Sequence, residues 1–235
     1  RLRPRLVEMV NPNDHWKNRP VLSVTNRAAG GLWIGTEGVG IYRHEKGEFV
    51  HVSKNQPLQS QVIHSVLEDR KGTLWIGSSG GGGVLQVFDG AAFRVAVRDT
   101  ALTQTSSLWE TREGELWIGT QQGPARLQGR KLEWPAAGFG VDLSNTRCFA
   151  EDADGAVWIG TLGNGIARFQ AGQVRQWRSA DGLPSDYILA MSAEPDGSVW
   201  MGTYHHGLIR YRNGRFASVS TLHGLPSDTI FGMVD

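Results

Sequence analysis

Short apolar runs broken by glycine-bearing turns recur along the whole chain, and nowhere do apolar positions keep a helical period over ten or more residues. The runs centre on the tripeptide Trp-Ile/Met-Gly, at Trp33, Trp75, Trp117, Trp158 and Trp200, spaced by 42, 42, 41 and 42 residues. So regular a recurrence makes the chain a tandem of one supersecondary unit.

Within the unit, glycine stands three residues before each Trp, at Gly30, Gly72, Gly114, Gly155 and Gly197. That position predicts a tight hairpin with left-handed backbone. Nine residues before each Trp the side chain is apolar (Val24, Val66, Leu108, Phe149, Met191), and the residue before that is small (Ser23, Ser65, Ser107, Cys148, Ala190). A buried strand A is expected there, with the Trp-Ile/Met-Gly segment as strand B. A glycine-bearing loop then leads to strand C, as in Ile41–Arg43, Ile166–Phe169 and Leu208–Tyr211. A second tight turn is expected at Lys46-Gly47, Asp89-Gly90, Gln128-Gly129, Ala171-Gly172 and Asn213-Gly214, before a strand D carrying Phe49, Phe93, Leu132, Val174 and Phe216. Blade 2 has an extra loop residue within Gly80–Gly83, and blade 3 reads as having Pro124 where the others have glycine.

Four short antiparallel strands per roughly 42 residues make the blade of a β-propeller. Neighbouring blades cover both faces of each one, which explains why strands A and B are apolar or small instead of alternating. The expected architecture is an all-β propeller over 1–235, with five complete blades at about 20–53, 62–98, 104–135, 145–178 and 187–220. Residues 1–10 read as the outer strands of a preceding unit and 229–235 as strand A of a following one. The chain thus reads as an open arc cut from a larger ring, with two exposed edges.

Composition narrows the function by exclusion. Basic residues number 24 and acidic ones 23, for a net charge of +1, so no long-range field favours nucleic acid or an anionic membrane surface. No apolar run approaches the roughly 18 residues of a membrane helix. The single cysteine, Cys148, excludes an intrachain disulfide and a thiolate zinc site, and its place in the small column marks it as a packing residue.

The phrases Glu68-Asp69-Arg-Lys-Gly72-Thr-Leu-Trp75-Ile-Gly77-Ser and Glu151-Asp152-Ala-Asp-Gly155-Ala-Val-Trp158-Ile-Gly160-Thr resemble the repeat of the two-component regulator propeller. The joining phrase Asp181-Gly-Leu-Pro-Ser-Asp186, echoed at His223–Asp228, is similar to that family's interblade loop. The resemblance implies a seven-bladed ring in the periplasmic, extracytoplasmic sensor region of a bacterial membrane-bound signalling protein. The output module would be a histidine kinase, sometimes a hybrid with a response regulator, or a diguanylate cyclase. It further implies an adjoining propeller and β-sandwich domain, a homodimeric full-length protein, a small polar ligand such as an oligosaccharide, and no catalysis by this segment.

Residues that keep the fold should recur in every blade: Trp33, Trp75, Trp117, Trp158 and Trp200, with Gly35, Gly77, Gly119, Gly160 and Gly202. Ligand-reading residues should be those that vary. On the loops after strand B these are Glu37, Gln121, Gln122, Asn164, Tyr204, His205 and His206, and near the start of strand A His64 and Arg147 vary within the column Leu22, His64, Ser106, Arg147, Leu189. Amides and aromatics at a loop face suit a polar small ligand; the bland reading is solvated loop tips that nothing constrains. Tyr204-His205-His206 has no ligating residue nearby in sequence, so no metal site is expected. Asp152-Ala-Asp154-Gly155 is too short for a calcium loop, and Gly80–Gly83 lacks the Lys-Ser/Thr of a phosphate cradle. No cofactor is implied. The alternative is a propeller enzyme or a scaffold. Asp196-Gly-Ser-Val-Trp200 faintly resembles a sialidase Asp-box but has Glu194 where Ser or Thr belongs, and the Trp-Ile-Gly-Thr phrases are similar to streptogramin lyase propellers, whose repeat phrase differs.

Overall fold

The computed structural model describes residues 19–56 and 58–233. The partial blade expected at 1–10, like residues 234 and 235, lies outside them. The described residues form five four-stranded antiparallel sheets, each a simple meander. Blade 1 is β1 (Val21–Asn26), β2 (Leu32–Thr36), β3 (Ile41–Glu45) and β4 (Glu48–His51). Blade 2 is β5 (Ile63–Glu68), β6 (Leu74–Ser78), β7 (Val84–Phe88) and β8 (Phe93–Arg98). Blade 3 is β9 (Thr105–Glu110), β10 (Leu116–Thr120), β11 (Gly123–Gln128) and β12 (Lys131–Glu133). Blade 4 is β13 (Thr146–Glu151), β14 (Val157–Thr161), β15 (Ile166–Gln170) and β16 (Gln173–Trp177). Blade 5 is β17 (Ile188–Ala193), β18 (Val199–Thr203), β19 (Leu208–Arg212) and β20 (Arg215–Val219). The first strands pack in sequence, β1 on β5, β5 on β9, β9 on β13 and β13 on β17, and no comparable packing joins β17 to β1. Residues 229–233 are irregular, with the Ile230 amide bonded to the Thr203 carbonyl at 3.0 Å.

The hairpin between the first two strands shows why the repeat reads as it does. Gly72 and Gly155 have φ of 79° and 78°, closing turns in which Asp69 and Asp152 act alike. Asp69 Oδ1 accepts from the amides of Lys71 and Thr73, each at 2.9 Å, while Oδ2 accepts from Trp75 Nε1 at 2.8 Å. Asp152 accepts from Asp154 and Ala156 and, at 2.8 Å, from Trp158 Nε1; Arg168 Nε adds a fourth bond at 2.9 Å. One carboxylate thus satisfies a turn and the indole N–H of a buried Trp.

In blades 1 and 3, where that Asp is missing, another carboxylate serves, whereas in blade 5 Glu194 stands at the position and Trp200 carries Arg210 over its ring at 5.6 Å. In blade 3 Thr111 stands at the position, and Trp117 Nε1 reaches Glu115 at 3.4 Å. In blade 1 Arg27 stands there, and Trp33 Nε1 donates to Glu68 of blade 2 at 2.6 Å. Glu68 and Glu151 both bond across a blade junction. Glu151 accepts from the Arg112 amide of blade 3 at 2.7 Å, and Glu110 from the Arg70 amide of blade 2 at 3.0 Å. The acidic residue ending the first strand points back to the preceding blade and fastens its hairpin. Blade 5 has Ala193 there, so its junction with blade 4 lacks this clamp.

The Trp-Ile/Met-Gly glycines are not turn residues: all five lie in extended strands. A Cβ on Gly77 would come within 2.4 Å of Thr105 Cγ2, and one on Gly35 within 2.7 Å of Ile63 Cγ2. On Gly160 it would meet Cys148 Sγ at 2.6 Å and Ile188 Cγ2 at 2.8 Å. The next blade's first strand begins against bare backbone at each junction, and Ile230 occupies the equivalent place against Gly202.

Several expectations are corrected. The outer turn of blade 3 is Gly129-Arg130, since Gln128 pairs with Lys131, and that of blade 2 is a four-residue loop anchored by Asp89, since Phe88 pairs with Phe93. Pro124 does not replace a loop glycine. It pairs with Gly119 as Ile41 does with Gly35 and Ile166 with Gly160, and Gly123 fills the glycine position of a shorter loop. Nor is every first strand buried. Val24 is 53% exposed, whereas Val66, Leu108 and Phe149 at the same position are 6%, 8% and 4% exposed, because no sheet covers that face of blade 1 among the described residues.

Two outcomes follow for stability. Gly77→Val should lower it by about 1–3 kcal/mol or more through overpacking, read from chemical denaturation. Asp152→Ala strands the Trp158 N–H and removes the partner of Arg168 Nε, and should cost about 2–4 kcal/mol. Burial alone would raise the Asp152 carboxyl, but its bonds from Trp158, Ala156 and Arg168 outweigh it and hold the group below the usual aspartate value. A depressed carboxyl contributes stability above its unfolded pKa of about 3.9 and loses it as pH falls through the folded value. Asp152→Ala should therefore flatten acid denaturation below about pH 4.

Candidate functional site

Each first strand opens with a bulge. In blade 2, Ile63 pairs with Ser78 and Ser65 with Gly77, leaving His64 without a partner across the ladder. Leu22, Ser106, Arg147 and Leu189 are skipped in the same way. The variable column is therefore a column of bulge residues on adjoining innermost strands, where a bulge re-aims one side chain at the rim.

Arg147 and Glu37 each come within electrostatic reach of His64. Burial, and secondly the positive charge of Arg147, push the His64 imidazole below its ordinary value, and Glu37 partly opposes them. His64 Nε2 lies 3.1 Å from Ser79 Oγ. Between blades 3 and 4 a shallow depression of about 90 Å³ is lined by Gln104, Ser106, Thr120, Gln121, Asn145, Thr146, Arg147 and Leu162. Arg147 is exposed there, and its side chain has no hydrogen bond or ion pair among the described residues.

The loop residues divide. Gln121 and Gln122 are exposed, with the Gln121 carbonyl accepting from the Asn145 amide at 2.9 Å and the Gln122 amide bonded to Thr120 Oγ1 at 3.1 Å. Asn164 is committed to the framework: its Nδ2 donates to Ser144 Oγ at 2.9 Å and its carbonyl accepts from Gln176 at 2.8 Å. The rings of Tyr204 and His205 lie against each other, tilted by 49° with centroids 3.8 Å apart. His205 has φ of 71° and bonds to Thr229 Oγ1 through its amide at 3.3 Å. His206 lies with Nδ1 3.3 Å from the Tyr204 carbonyl. Among the described residues no three His, Cys, Asp or Glu side chains gather as a metal-ligating set.

Sequence reasoning missed Tyr187 and Leu162, which share this surface with Tyr204. Leu162 bridges Tyr187, the Tyr204 amide bonds to the Tyr187 carbonyl at 3.1 Å, and the three are 38%, 51% and 47% exposed. Tyr187 follows the joining phrase directly, and its column (Pro20, Val62, Gln104, Asn145, Tyr187) varies in every blade, which is the signal that marked the other candidates. Cys148 stays a packing residue: burial pushes its thiol up to about 12. A larger groove of about 820 Å³ opens between the outer parts of blades 4 and 5. Its walls include the buried indoles of Trp158 and Trp177, and its Arg168–Asp152 and Arg212–Asp196 pairs, at 2.9 and 3.2 Å, neutralise each other. It is the wedge left where the two blades diverge.

A family model described as two component regulator propeller matches residues 57–80, 140–163 and 182–205. Each segment runs from a joining loop through the first hairpin to the end of the Trp-Ile/Met-Gly strand, in blades 2, 4 and 5. Three of the five blades match the two-component regulator propeller repeat. Among solved structures, these repeats are similar to the extracellular domain described as that of a hybrid two component system, BT3049, from B. thetaiotaomicron, at 26% identity and TM-score 0.76. That match covers 89% of this chain and 29% of the other, so the chain spans under a third of that domain. A virginiamycin B lyase from Staphylococcus aureus (17% identity, TM-score 0.68, covering 86% and 70%) and PorZ of Porphyromonas gingivalis (12%, 0.69, covering 92% and 36%) share the propeller fold. No curated protein matches the chain.

The rim makes one titration testable. Because His64 is lowered in the folded state, the unfolded chain takes up its proton first, and this group costs stability as pH falls below about 6.5. In ring-detected NMR titrations, Arg147→Gln should raise the His64 pKa and Glu37→Gln should lower it further.

Proposed function

We propose that this propeller is the ligand-reading part of an extracytoplasmic sensor region in a two-component signalling protein, and that it binds a small polar ligand at its rim without transforming it. The match of the regulator-propeller repeat to three blades carries this reading. The similarity to an extracellular domain of a hybrid two component system supports it. So does the chemistry of the loop face, where Tyr187 and Tyr204 expose ring faces and Gln121 and Gln122 expose amides, groups suited to an oligosaccharide. In the full-length protein the ring would adjoin a further propeller and a β-sandwich and work as a homodimer. Ligand would act by favouring one arrangement of these bodies over another, which requires a difference in its affinity for the two.

The test is a calorimetric screen of oligosaccharides against the chain, followed by Tyr187→Ala and Tyr204→Ala. Binding that weakens about tenfold or more in either variant, with unchanged thermal unfolding, is the expected outcome. Conversion of quinupristin or of an oligosaccharide by the purified chain, followed by mass spectrometry, would replace the sensor reading with an enzyme.

A further inference from the structure

We propose that the depression between blades 3 and 4 is an oxyanion subsite, in which Arg147, aided by the side-chain amides of Gln104, Gln121 and Asn145, grips a carboxylate or sulfate group of an acidic ligand. The inference rests on the reading of the rim as a binding face and adds the chemical class of what binds there.

Three observations carry it. The first is the lining. It holds one guanidinium and three side-chain amides, and none of its residues is acidic. Its hydroxyls are already spent on carbonyls: Thr120 Oγ1 donates to Gly123 at 2.8 Å, Thr146 Oγ1 to Leu143 at 2.8 Å and Ser106 Oγ to Gly119 at 3.0 Å. What remains to meet a ligand is dominated by N–H donors, with Leu162 as an apolar side wall. A volume of about 90 Å³ has room for a head group of a few heavy atoms, since a water molecule takes about 30 Å³ of liquid.

The second observation is that Arg147 is unspent. Arg27, Arg43, Arg70, Arg94, Arg112, Arg126, Arg168 and Arg212 hold a carboxylate partner, Arg98 and Arg178 donate to Gln59 and to the Asp142 carbonyl, and Arg175 and Arg210 lie over Trp177 and Trp200; Arg147 shares with Arg130 and Arg215 the lack of any such contact among the described residues. A guanidinium is the group best matched to a two-oxygen anion. The third is the backbone that presents it. Asn145 has φ of 56°, a left-handed conformation found at none of Pro20, Val62, Gln104 or Tyr187 in the same column. Its amide is tied to Gln121 at 2.9 Å and its carbonyl to the Leu162 amide at 3.0 Å. A left-handed residue followed two positions later by a bulge fixes the direction of Arg147, and asparagine takes that conformation readily.

His64 is a built-in reporter, because an anion on Arg147 cancels the charge that depresses it. The 235-residue chain is titrated with citrate, with inorganic sulfate and with glucose at constant ionic strength, following the His64 ring by NMR, with its signal assigned through His64→Gln. Saturable displacement by citrate, sulfate or both is expected, with no effect of glucose; which anion acts tells a carboxylate source from a sulfate source. Arg147→Gln should weaken the response about tenfold or more, as loss of a charge-assisted pair does. Gln121→Glu, on an exposed loop, should abolish it by placing a carboxylate on the lining, whereas Arg175→Gln, away from the rim, should leave it intact. An equal response in Arg147→Gln, or no saturable response at tens of millimolar anion, overturns the subsite. If the chain then still binds a neutral oligosaccharide through Tyr204, only the subsite has failed and the ligand-reading rim stands. An anion response that depends on Arg147 with no saccharide bound keeps the subsite and removes the saccharide.

Discussion

Everything in this molecule is set by how closely adjacent first strands approach. At each junction the second strand of one blade presents a glycine to the first residue of the next innermost strand, at distances where a methyl group would have to displace Ile63, Thr105, Thr146, Ile188 or Ile230. Interiors packed this tightly do not compress by small degrees. The glycine therefore fixes the spacing of the blades, and the rest of the repeat accommodates that spacing. The Trp two residues earlier is carried to the outer side of the contact, where it covers the neighbouring sheet. Its N–H is then buried and needs an acceptor, and the hairpin Asp is the nearest group able to provide one.

That order of causes explains which parts of the repeat vary. Asp69 and Asp152 can be replaced, because Glu115 in the same blade or Glu68 in the next one reaches the indole equally well. In four of the five blades a carboxylate meets the N–H, and the position supplying it is secondary. The strand-B glycine has no such substitute, since no side chain can be smaller. The acidic residue ending the first strand belongs to a third class. It joins blades instead of closing its own turn, and Ala193 shows that one junction forms without it.

The five-blade architecture was legible because each of these demands is local and recurs about every 42 residues. The turns were less so. Gln128-Gly129 and Gly129-Arg130 differ by one residue of register, and only the pairing of Gln128 with Lys131 decides between them. The interblade role of Glu68 and Glu151 was invisible for a related reason: their partners lie 35 and 39 residues away, in a neighbouring repeat that sequence alone does not orient. At the rim, variability pointed to His64 and Arg147 but not to the reason they matter. The bulge exists because the first strand has one residue more than its partner there, a count visible only once the ladder is drawn. Asn164 shows the converse, a variable polar residue spent on Ser144 within the framework.

The bulge also sets what a ligand at the rim can do. Arg147 is followed by Cys148, whose sulfur rests on Gly160 together with Ile188 of the next blade. A group held by Arg147 therefore sits one residue from the contact that spaces blades 4 and 5. Its amide partner Gln121 belongs to blade 3, so the same ligand would touch both sides of the junction between blades 3 and 4. Because the blade contacts are incompressible, force applied there is not absorbed by side-chain repacking at the glycines. It would be passed on as a change in how whole blades are disposed. In the proposed sensor, a rigid repeat and a rim of unmatched residues are thus complementary requirements: the first converts local contact into movement of blades, and the second decides which ligand makes that contact.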